Sequence, residues 1–434
     1  MVHPEGGLLK AAQEVLARNW RGHYTVPSPT LYPHQWSWDS AFIAIGYAHY
    51  APDRARSELD SLFRGQWSNG LIPHIIFDTS VKGYSPGPEL WGTEDLAPKG
   101  VATSGIVQPP VHAVAALRYY RHTRDVATIR RWFPRLKAYH RYLHEDRDPE
   151  RSGFATIYHP WESGLDNSPR WDEPLARVEP KGLPAYRRSD TTHSSAEERP
   201  TDLEYDRYIY LVGVLKRHSY DDRRLYSVVP FKVKDVVFNT ILYVANRALL
   251  ELARVLGEDT GEIEGWVGRQ EERFTRQFCP DPDEGLFYDY DLVAGRFIRR
   301  RTVANLIPIY TGIADPDIIA MTVRWMDHAH WCGKADCRYP MVPSTSLDSP
   351  HFAHITYWRG PIWVNTNWML YQGLKRYGYV EKAEILRDAI LRIVRDNGFY
   401  EFYDPHNGKG YGARDFSWTA SLTIDLLHRC RVPE

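Results

Sequence analysis

Apolar residues recur every three to four positions along most of this 434-residue chain. In YVEKAEILRDAILRIV (379–394) they place Val380, Ala383, Leu386, Ala389, Ile390 and Ile393 on one stripe, with Glu, Lys, Arg and Asp opposite, and Asn397-Gly398 supplies a stop. That pattern predicts an amphipathic helix. The same periodicity predicts helices over 8–20, 38–50, 54–67, 110–122, 126–143, 203–217, 233–256, 262–278, 316–328, 361–377 and 416–430. With few convincing strands between them, the expected fold class is all-α.

A phrase recurs between alternate helices: SNGLIPHIIF from Ser68, RSGFATIYHP from Arg151, DEGLFYDYD from Asp283 and NGFYEFYDP from Asn397. Each sets Gly after a polar residue, then aliphatic or aromatic residues leading to a polar cluster. A unit repeated at one end of successive helix pairs predicts a single domain over 1–434, a closed toroid of helical hairpins whose loops converge on one mouth. Two segments, 73–102 and 178–201, carry no helical pattern. Structureless stretches longer than about 15 residues are uncommon in compact domains and usually serve as lids or binding loops. Their Tyr, Trp, Arg and His content favours lids over disordered surface excursions.

Composition narrows the function. The formal net charge is -1, with acids and bases matched along the chain, which argues against a nucleic acid or an anionic membrane as partner. The N-terminal stretch has no basic region followed by an apolar run, and no run of 18 apolar residues occurs, so a cytoplasmic protein is expected. Cys332 and Cys337 lack a second pair, or histidines, at zinc-finger spacing, which favours free thiols or a single bridge over a metal. There is no GxGxxG after a strand, no phosphate-cradling Gly-Lys loop and no HExxH, so no cofactor and no metal are expected. Oligomeric state is not legible.

Aromatic residues interleave with polar ones in four places: YPHQWSWDS (32–40), IVQPPVH (106–112), HPWESGLDNSPRWD (159–172) and HITYWRGPIWVNTNW (354–368). Several of the 15 tryptophans sit in these loops, where a flat ring with one donor edge suits the C–H face of a sugar. Glycoside hydrolysis needs one carboxylic acid to protonate the leaving oxygen and one carboxylate to attack the sugar or activate water. Glu162, Asp166, Asp172 and Glu173 are the candidates in the stretch 159–175 that holds the third cluster. Asp166 lies in a Gly-Leu-Asp-Asn turn from which a short side chain can enter a cavity, although capping such a turn is what Asp does most often. Glu401, between Tyr400 and Phe402, is a candidate partner, since packing among aromatics fixes a carboxyl's position.

WESGLDNSP, YWRGPIWVNTNW and GFYEFYDPHNGKGYGARDFSWTASL resemble glycoside hydrolase family 63, in particular its short bacterial single-domain enzymes acting on glycosylglycerates. The resemblance spans nearly the whole chain, from YPHQWSWD to FSWTASL. It implies an (α/α)6 barrel that hydrolyses a small α-glycoside with inversion, 2-O-α-mannosyl-D-glycerate and glucosylglycerate being the expected substrates. By position in the motifs, Asp166 would be the general acid and Glu401 the general base, their carboxyls roughly 6.5–9.5 Å apart to admit a water. Tyr32, Trp36, Trp38, Asp39, Gln108, Trp161, Gly164, Tyr357, Trp358 and Trp363 would surround the sugar. Asp39 is then a sugar ligand, with helix capping near Ser40 as the alternative. Larger family members carry an extra N-terminal β-rich domain for which there is no room before YPHQWSWD, which disfavours N-glycan trimming.

A glycerate aglycone brings a carboxylate, and a cation or a cluster of donors should meet it. Arg187, Arg188 and Arg199 in the second long segment, and His74 and Tyr84 in the first, are available; Arg199 with Tyr205, Tyr84 and Gln108 is the expected set. Two rivals stand beside the hydrolase. A sugar epimerase or isomerase would need paired histidines at the mouth, drawn from His74, His112, His159 and His354. A non-catalytic sugar-binding protein would keep the aromatic platforms without the acids.

Overall fold

The structure is a computed structural model that describes residues 4–192, 194–332 and 338–428. His193 in the second long segment, Cys337 and Cys430 lie outside them. Its helices are α1 (Pro4–Asn19), α2 (Ser37–Ala48), α3 (Pro52–Arg64), the single turn α4 (Pro88–Trp91), α5 (His112–Thr123), α6 (Val126–Glu145) and the short α7 (Asp172–Ala176). They continue with α8 (Asp202–Arg217), α9 (Asp222–Val228), α10 (Val236–Leu256), α11 (Gly261–Phe278), α12 (Pro316–Met326), α13 (Val364–Arg376), α14 (Val380–Asn397) and α15 (Ser417–Leu427). Every expected helix is present, with ends shifted by a few residues. Between them run β1 (Gln35–Trp36), β2 (Ile75–Ile76), β3 (Val233–Lys234), β4 (Asp289–Asp291), β5 (Arg296–Ile298), β6 (Tyr400–Tyr403) and β7 (Gly410–Arg414). These pair antiparallel as β1-β2, β3-β4-β5 and β6-β7.

Local chemistry explains the boundaries. The helix expected over 233–256 begins only at Val236, because Asp235 caps it by accepting the Phe238 N–H (2.7 Å) and Val233-Lys234 pair as β3 instead. Asp125 caps α6 through the Thr128 N–H, and Thr201 with Glu204 forms a capping box at α8. Gly398 ends α14 at φ 91°, where a side chain would be strained.

The helices sort into two shells. α2 packs on α15 and α5, α5 on α10, α10 on the 3-10 turn Ile307–Thr311, that turn on α13, and α13 on α15, so the neighbour relations return to α2. Outside them, α1 covers α15, α3 covers α2, α6 and α11 cover α10, and α14 covers α13. The outer helices behave as the periodicity says: α3 buries Ala55, Glu58, Leu59, Leu62 and Phe63 on one face. The inner ones do not. All of α2 from Ser37 to Ala48 is buried, so the single stripe read over 38–50 is corrected to a helix enclosed on every side. α10 is long and apolar enough to cross a membrane by length and composition, and it is buried as one of these inner helices.

The recurring phrase is a structural unit. Gly70, Gly153, Gly285 and Gly398 all have positive φ, and each follows an outer helix, α3, α6, α11 or α14. In each case the chain then enters a short strand or bridge, at Ile75–Ile76, Ile157, Asp289–Asp291 or Tyr400–Tyr403. The chain turns there from an outer helix toward the N-terminus of an inner one. Cys279 is a free buried thiol, Cys332 is disulfide-bonded, and no metal-ligating cluster occurs among the described residues.

The α2–α15 contact is the tightest in the ring. A Cβ at Gly46 would lie 2.2 Å from Ser421 Oγ and 2.8 Å from its Cα, and Gly46 N–H donates to that hydroxyl (3.0 Å). Gly46→Ala is expected to destabilise the chain by about 1–3 kcal/mol through overpacking, read as a lower midpoint in chemical unfolding.

Candidate active site

The aromatic-polar clusters meet at the N-terminal ends of the inner helices. Trp36, Trp38 and Asp39 come from β1 and the first turn of α2, Gln108 from the loop before α5, Trp161, Gly164 and Asp166 from the loops between α6 and α10. Tyr357 precedes α13, and Glu401 lies on β6 before α15. All of these, with Tyr32, Tyr84, Arg199 and Tyr205, line one cavity. Pro27, His74, Ile75, Pro86, Asp190, Pro200, Phe416 and Trp418 complete its wall. Both long segments reach it, and they touch one another: Ser85 N–H donates to Ser189 Oγ (2.7 Å) and Ser189 N–H to the Ser85 carbonyl (3.3 Å).

Two expected residues are placed differently. Trp358 and Trp363 are not on the cavity wall; they are buried and stacked on each other, centroids 3.6 Å apart. Trp363 Nε1 donates to the Tyr357 carbonyl (3.0 Å), so the pair forms a platform beneath Tyr357. Asp39 is not a helix cap: α2 starts at Ser37, with Trp36 at the cap position, and Asp39 faces the cavity. Gly164 is needed for packing, because at φ 71° a Cβ there would lie 2.6 Å from the Trp38 ring.

Partners separate the four acids of the stretch 159–175. Glu162 is fully buried and takes Arg147 (2.5 Å) and the N–H groups of Tyr158 (2.6 Å) and Val107 (3.3 Å). It thereby ties the Asp166 loop to the Gln108 loop. Asp172 pairs with both terminal nitrogens of Arg359 (2.8 and 2.9 Å), and Glu173 with Arg296 and Arg300. Asp166 alone of the four faces the cavity, and its carboxyl takes no hydrogen-bond partner outside its own residue among the described residues. Its backbone carbonyl accepts the Tyr208 hydroxyl, which fixes the turn (3.1 Å).

Glu401 is held in the opposite manner. Tyr32 donates to its Oε1 (2.7 Å), while Arg199 (2.9 Å) and the Ala413 N–H (2.9 Å) donate to Oε2. The β6–β7 register is irregular between Tyr400 and Phe402, a bulge that turns the Glu401 side chain toward the strand partner. Gly412 makes room: a Cβ there would lie 2.4 Å from Glu401 Oε2. Three donors and no acceptor suit a carboxylate.

Arg199 donates as well to the Tyr32 hydroxyl (2.8 Å), and its guanidinium lies 4.7 Å from the Tyr357 ring centroid. Its terminal donors are thus engaged by the protein, and it is the only Lys or Arg on the cavity wall among the described residues. Arg188 bridges Asp190 and Asp202, and Arg187 lies away from this cavity. The Gln108 carbonyl oxygen accepts the Trp38 N–H (3.2 Å). Its amide nitrogen and the hydroxyls of Tyr84 and Tyr205 have no protein partner among the described residues.

Burial pushes the Asp166 carboxyl up to about 8, with Glu401 adding to the rise and Arg199 opposing it. Asp39 is raised well above the carboxylate range, first by burial, then by Glu401. Behind the wall, Glu58 accepts from Ser40 Oγ (2.5 Å) and the Thr25 N–H (3.2 Å) and anchors the start of α2; burial raises its carboxyl to about 7. Sequence reasoning missed Glu58, Asp190 and Trp418. The first was hidden inside a helical stripe that looked purely structural, and the other two stand outside the four clusters. Of the four histidines an isomerase would pair, only His74 lines the cavity. His112 and His159 are buried against Ser37 and the Tyr208 carbonyl, and His354 pairs with Asp404.

The family model for the mannosylglycerate hydrolase MGH1-like glycoside hydrolase domain matches residues 32–419. The chain is 43% identical to a mannosylglycerate hydrolase of Rubrobacter radiotolerans over 431 residues, covering 97% of this chain and 96% of that one. It is 40% identical over 439 residues to a glucosylglycerate hydrolase of Mycolicibacterium hassiacum, covering 97% of both. The crystal structure of a GH63 mannosylglycerate hydrolase from Thermus thermophilus in complex with Tris and D-glycerate superposes with a TM-score of 0.90 at 43% identity, covering 96% of this chain and 99% of that one.

The raised carboxyl gives a stability signature. The folded-state value of about 8 lies above the ordinary 3.8, so across that window the folded chain keeps a proton the unfolded chain has released. Stability therefore falls as pH rises through the window. Asp166→Asn is expected to flatten this dependence, with unfolding midpoints that exceed the parent's near pH 8 and converge with them below about pH 4.

Proposed function

This chain belongs to the MGH1-like glycoside hydrolases of family 63, and from that premise we propose that it hydrolyses 2-O-α-mannosyl-D-glycerate, and glucosylglycerate with it, by inversion. The observation that carries this reading is the contrast between two carboxyls in one cavity: Asp166 is desolvated and takes no donor from any other described residue, while Glu401 accepts three. Environments that push two carboxyls apart assign an acid and a base. Asp166, protonated at neutral pH, gives its proton to the glycosidic oxygen as the bond to glycerate breaks. Glu401 takes a proton from water as that water attacks the anomeric carbon from the opposite face, leaving the β-hexose and glycerate.

The hexose sits among Tyr32, Trp36, Trp38, Asp39, Trp161 and Tyr357, where the rings meet its C–H faces and Asp39 its hydroxyls. The glycerate carboxylate lies toward Arg199, with Tyr84, Gln108 and Tyr205 as the neutral donors around it. In this reading the two shells of helices are an (α/α)6 barrel, and segments 73–102 and 178–201 are its lids. Both substrates are included because the relatives named for mannosylglycerate and for glucosylglycerate are about equally similar.

Proton NMR of the enzyme with each glycosylglycerate in turn, read at the anomeric signal within the first turnovers, is expected to show the β-hexose before mutarotation. First appearance of the α-anomer would reject inversion, and an untouched substrate would reject the glycerate reading. Asp166→Asn and Glu401→Gln are each expected to lower kcat by about 10²–10⁴-fold. The alkaline limb of kcat/KM is expected near pH 8, where Asp166 loses its proton.

A further inference from the structure

Three consecutive residues of the second long segment bond to the Thr356-Tyr357 stretch and to Glu401, of which Tyr357 and Glu401 line the cavity. The Glu197 carbonyl accepts the Thr356 hydroxyl (2.8 Å), the Glu198 carbonyl accepts the Tyr357 N–H (3.1 Å), and Arg199 donates to Glu401 (2.9 Å). The Glu198 side chain does something further. Its Oε2 accepts the N–H of Gly412 (2.8 Å), and the next N–H in the chain, that of Ala413, donates to Glu401 Oε2 (2.9 Å). The stretch Gly412-Ala413 is thus gripped on one amide by Glu198 and on the next by Glu401.

That peptide is poorly placed to hold itself. Gly412 stands at φ 68°, beside an irregularity in the β6–β7 ladder, so regular cross-strand bonding does not fix it. Tyr357, on the other side, has φ 34°, a conformation a tyrosine adopts only when its surroundings impose it, and its N–H is the one Glu198 binds.

We propose that Glu198 is a positioning residue: by holding Gly412 and Tyr357 at once, it couples the seating of segment 178–201 to the orientation of the Glu401 carboxylate. When the segment is seated, Arg199 and the Ala413 N–H reach Glu401 Oε2 together; when Glu198 lets go, the Gly412-Ala413 amides lose their fixed direction and the base turns off the line of the attacking water. Glu198 touches neither substrate nor the reacting atoms. The inference rests on the proposed role of Glu401 as base.

The test compares Glu198→Ala, Glu198→Gln and Glu198→Asp with the parent on mannosylglycerate. Glu198→Ala is expected to lower kcat roughly ten- to hundredfold, with KM changed by less than about threefold, because a displaced base slows chemistry more than binding. Glu198→Gln keeps an acceptor at the same reach and is expected to restore most of kcat. Glu198→Asp is one methylene short and is expected to resemble Glu198→Ala. A parental kcat in Glu198→Ala, a rise in KM alone, or a glutamine variant as slow as the alanine one would overturn the proposal. Hydrogen exchange of segment 410–414 checks the same grip without substrate: it is expected to quicken in Glu198→Ala and to stay slow in Glu198→Gln, and unchanged exchange in Glu198→Ala would reject it. Glu401→Gln in the same assay separates the two readings, since retained turnover there removes the base assignment while the exchange result still judges the grip.

Discussion

Two carboxyl groups facing one desolvated cavity cannot both ionise without a large electrostatic cost. The protein resolves this by giving three donors to Glu401 and leaving Asp166 without one from any other residue described. Of the other acids on the wall, Asp190 pairs with Arg188 and Asp39 is raised by burial, while the acids near Asp166 in the chain are tied away from the cavity: Glu162 to Arg147, Asp172 to Arg359 and Glu173 to Arg296 and Arg300. Among the described residues the cavity is left with one Lys or Arg, Arg199, and that cation is spoken for by Glu401. The proposed inverting hydrolysis asks one carboxyl to give a proton and the other to take one, and the contacts of Glu401 and Arg199 set the two carboxyls in different surroundings.

The asymmetry survives because the groups that create it hang from a rigid ring. The inner helix α2 is enclosed on every side, and its close approach to α15 at Gly46 and Ser421 leaves little freedom to shift. Four outer helices end at a glycine turn from which the chain runs on toward an inner helix, and the first turns of α2 and α15 give Trp38, Asp39 and Trp418 to the cavity wall. Asp39 sits in the first turn of α2, an environment that tolerates a carboxyl, while burial raises it well above the usual carboxylate range. Buried ties then join neighbouring elements behind the wall, Glu162 to Val107 between two loops and Glu58 to Ser40 between α3 and α2.

The long segments add what the ring cannot. Tyr84 and Pro86 come from one, Asp190, Arg199 and Pro200 from the other, and Ser85 and Ser189 join them. Without the second segment Glu401 would keep Tyr32 but lose its charged partner, and the Ala413 amide would lose the Glu198 contact beside it. Among the described residues, the one cationic contact to the proposed base is therefore contributed by a part of the chain with almost no secondary structure of its own.

Much of this was legible in the sequence, and the reason is local. Helices announce themselves by the spacing of apolar residues, so the helical elements and the repeated glycine turns at Gly70, Gly153, Gly285 and Gly398 could be read directly. Loops crowded with Trp, Tyr and acids are unusual enough that Asp166 and Glu401 could be named as candidates, and the family resemblance then gave them expected roles. What the sequence could not decide was which side chains lie on a surface and which lie beneath one. Trp358 and Trp363 have the same local signature as Trp36 and Trp38, yet one pair stacks beneath Tyr357 and the other lines the cavity. Arg199 was expected to face the aglycone, and only the fold set it 2.9 Å from a carboxylate 202 residues away. Periodicity reports the face of one element; the partner that satisfies a charge, and the neighbour that covers a ring, come from elsewhere in the chain and exist only once the ring has closed.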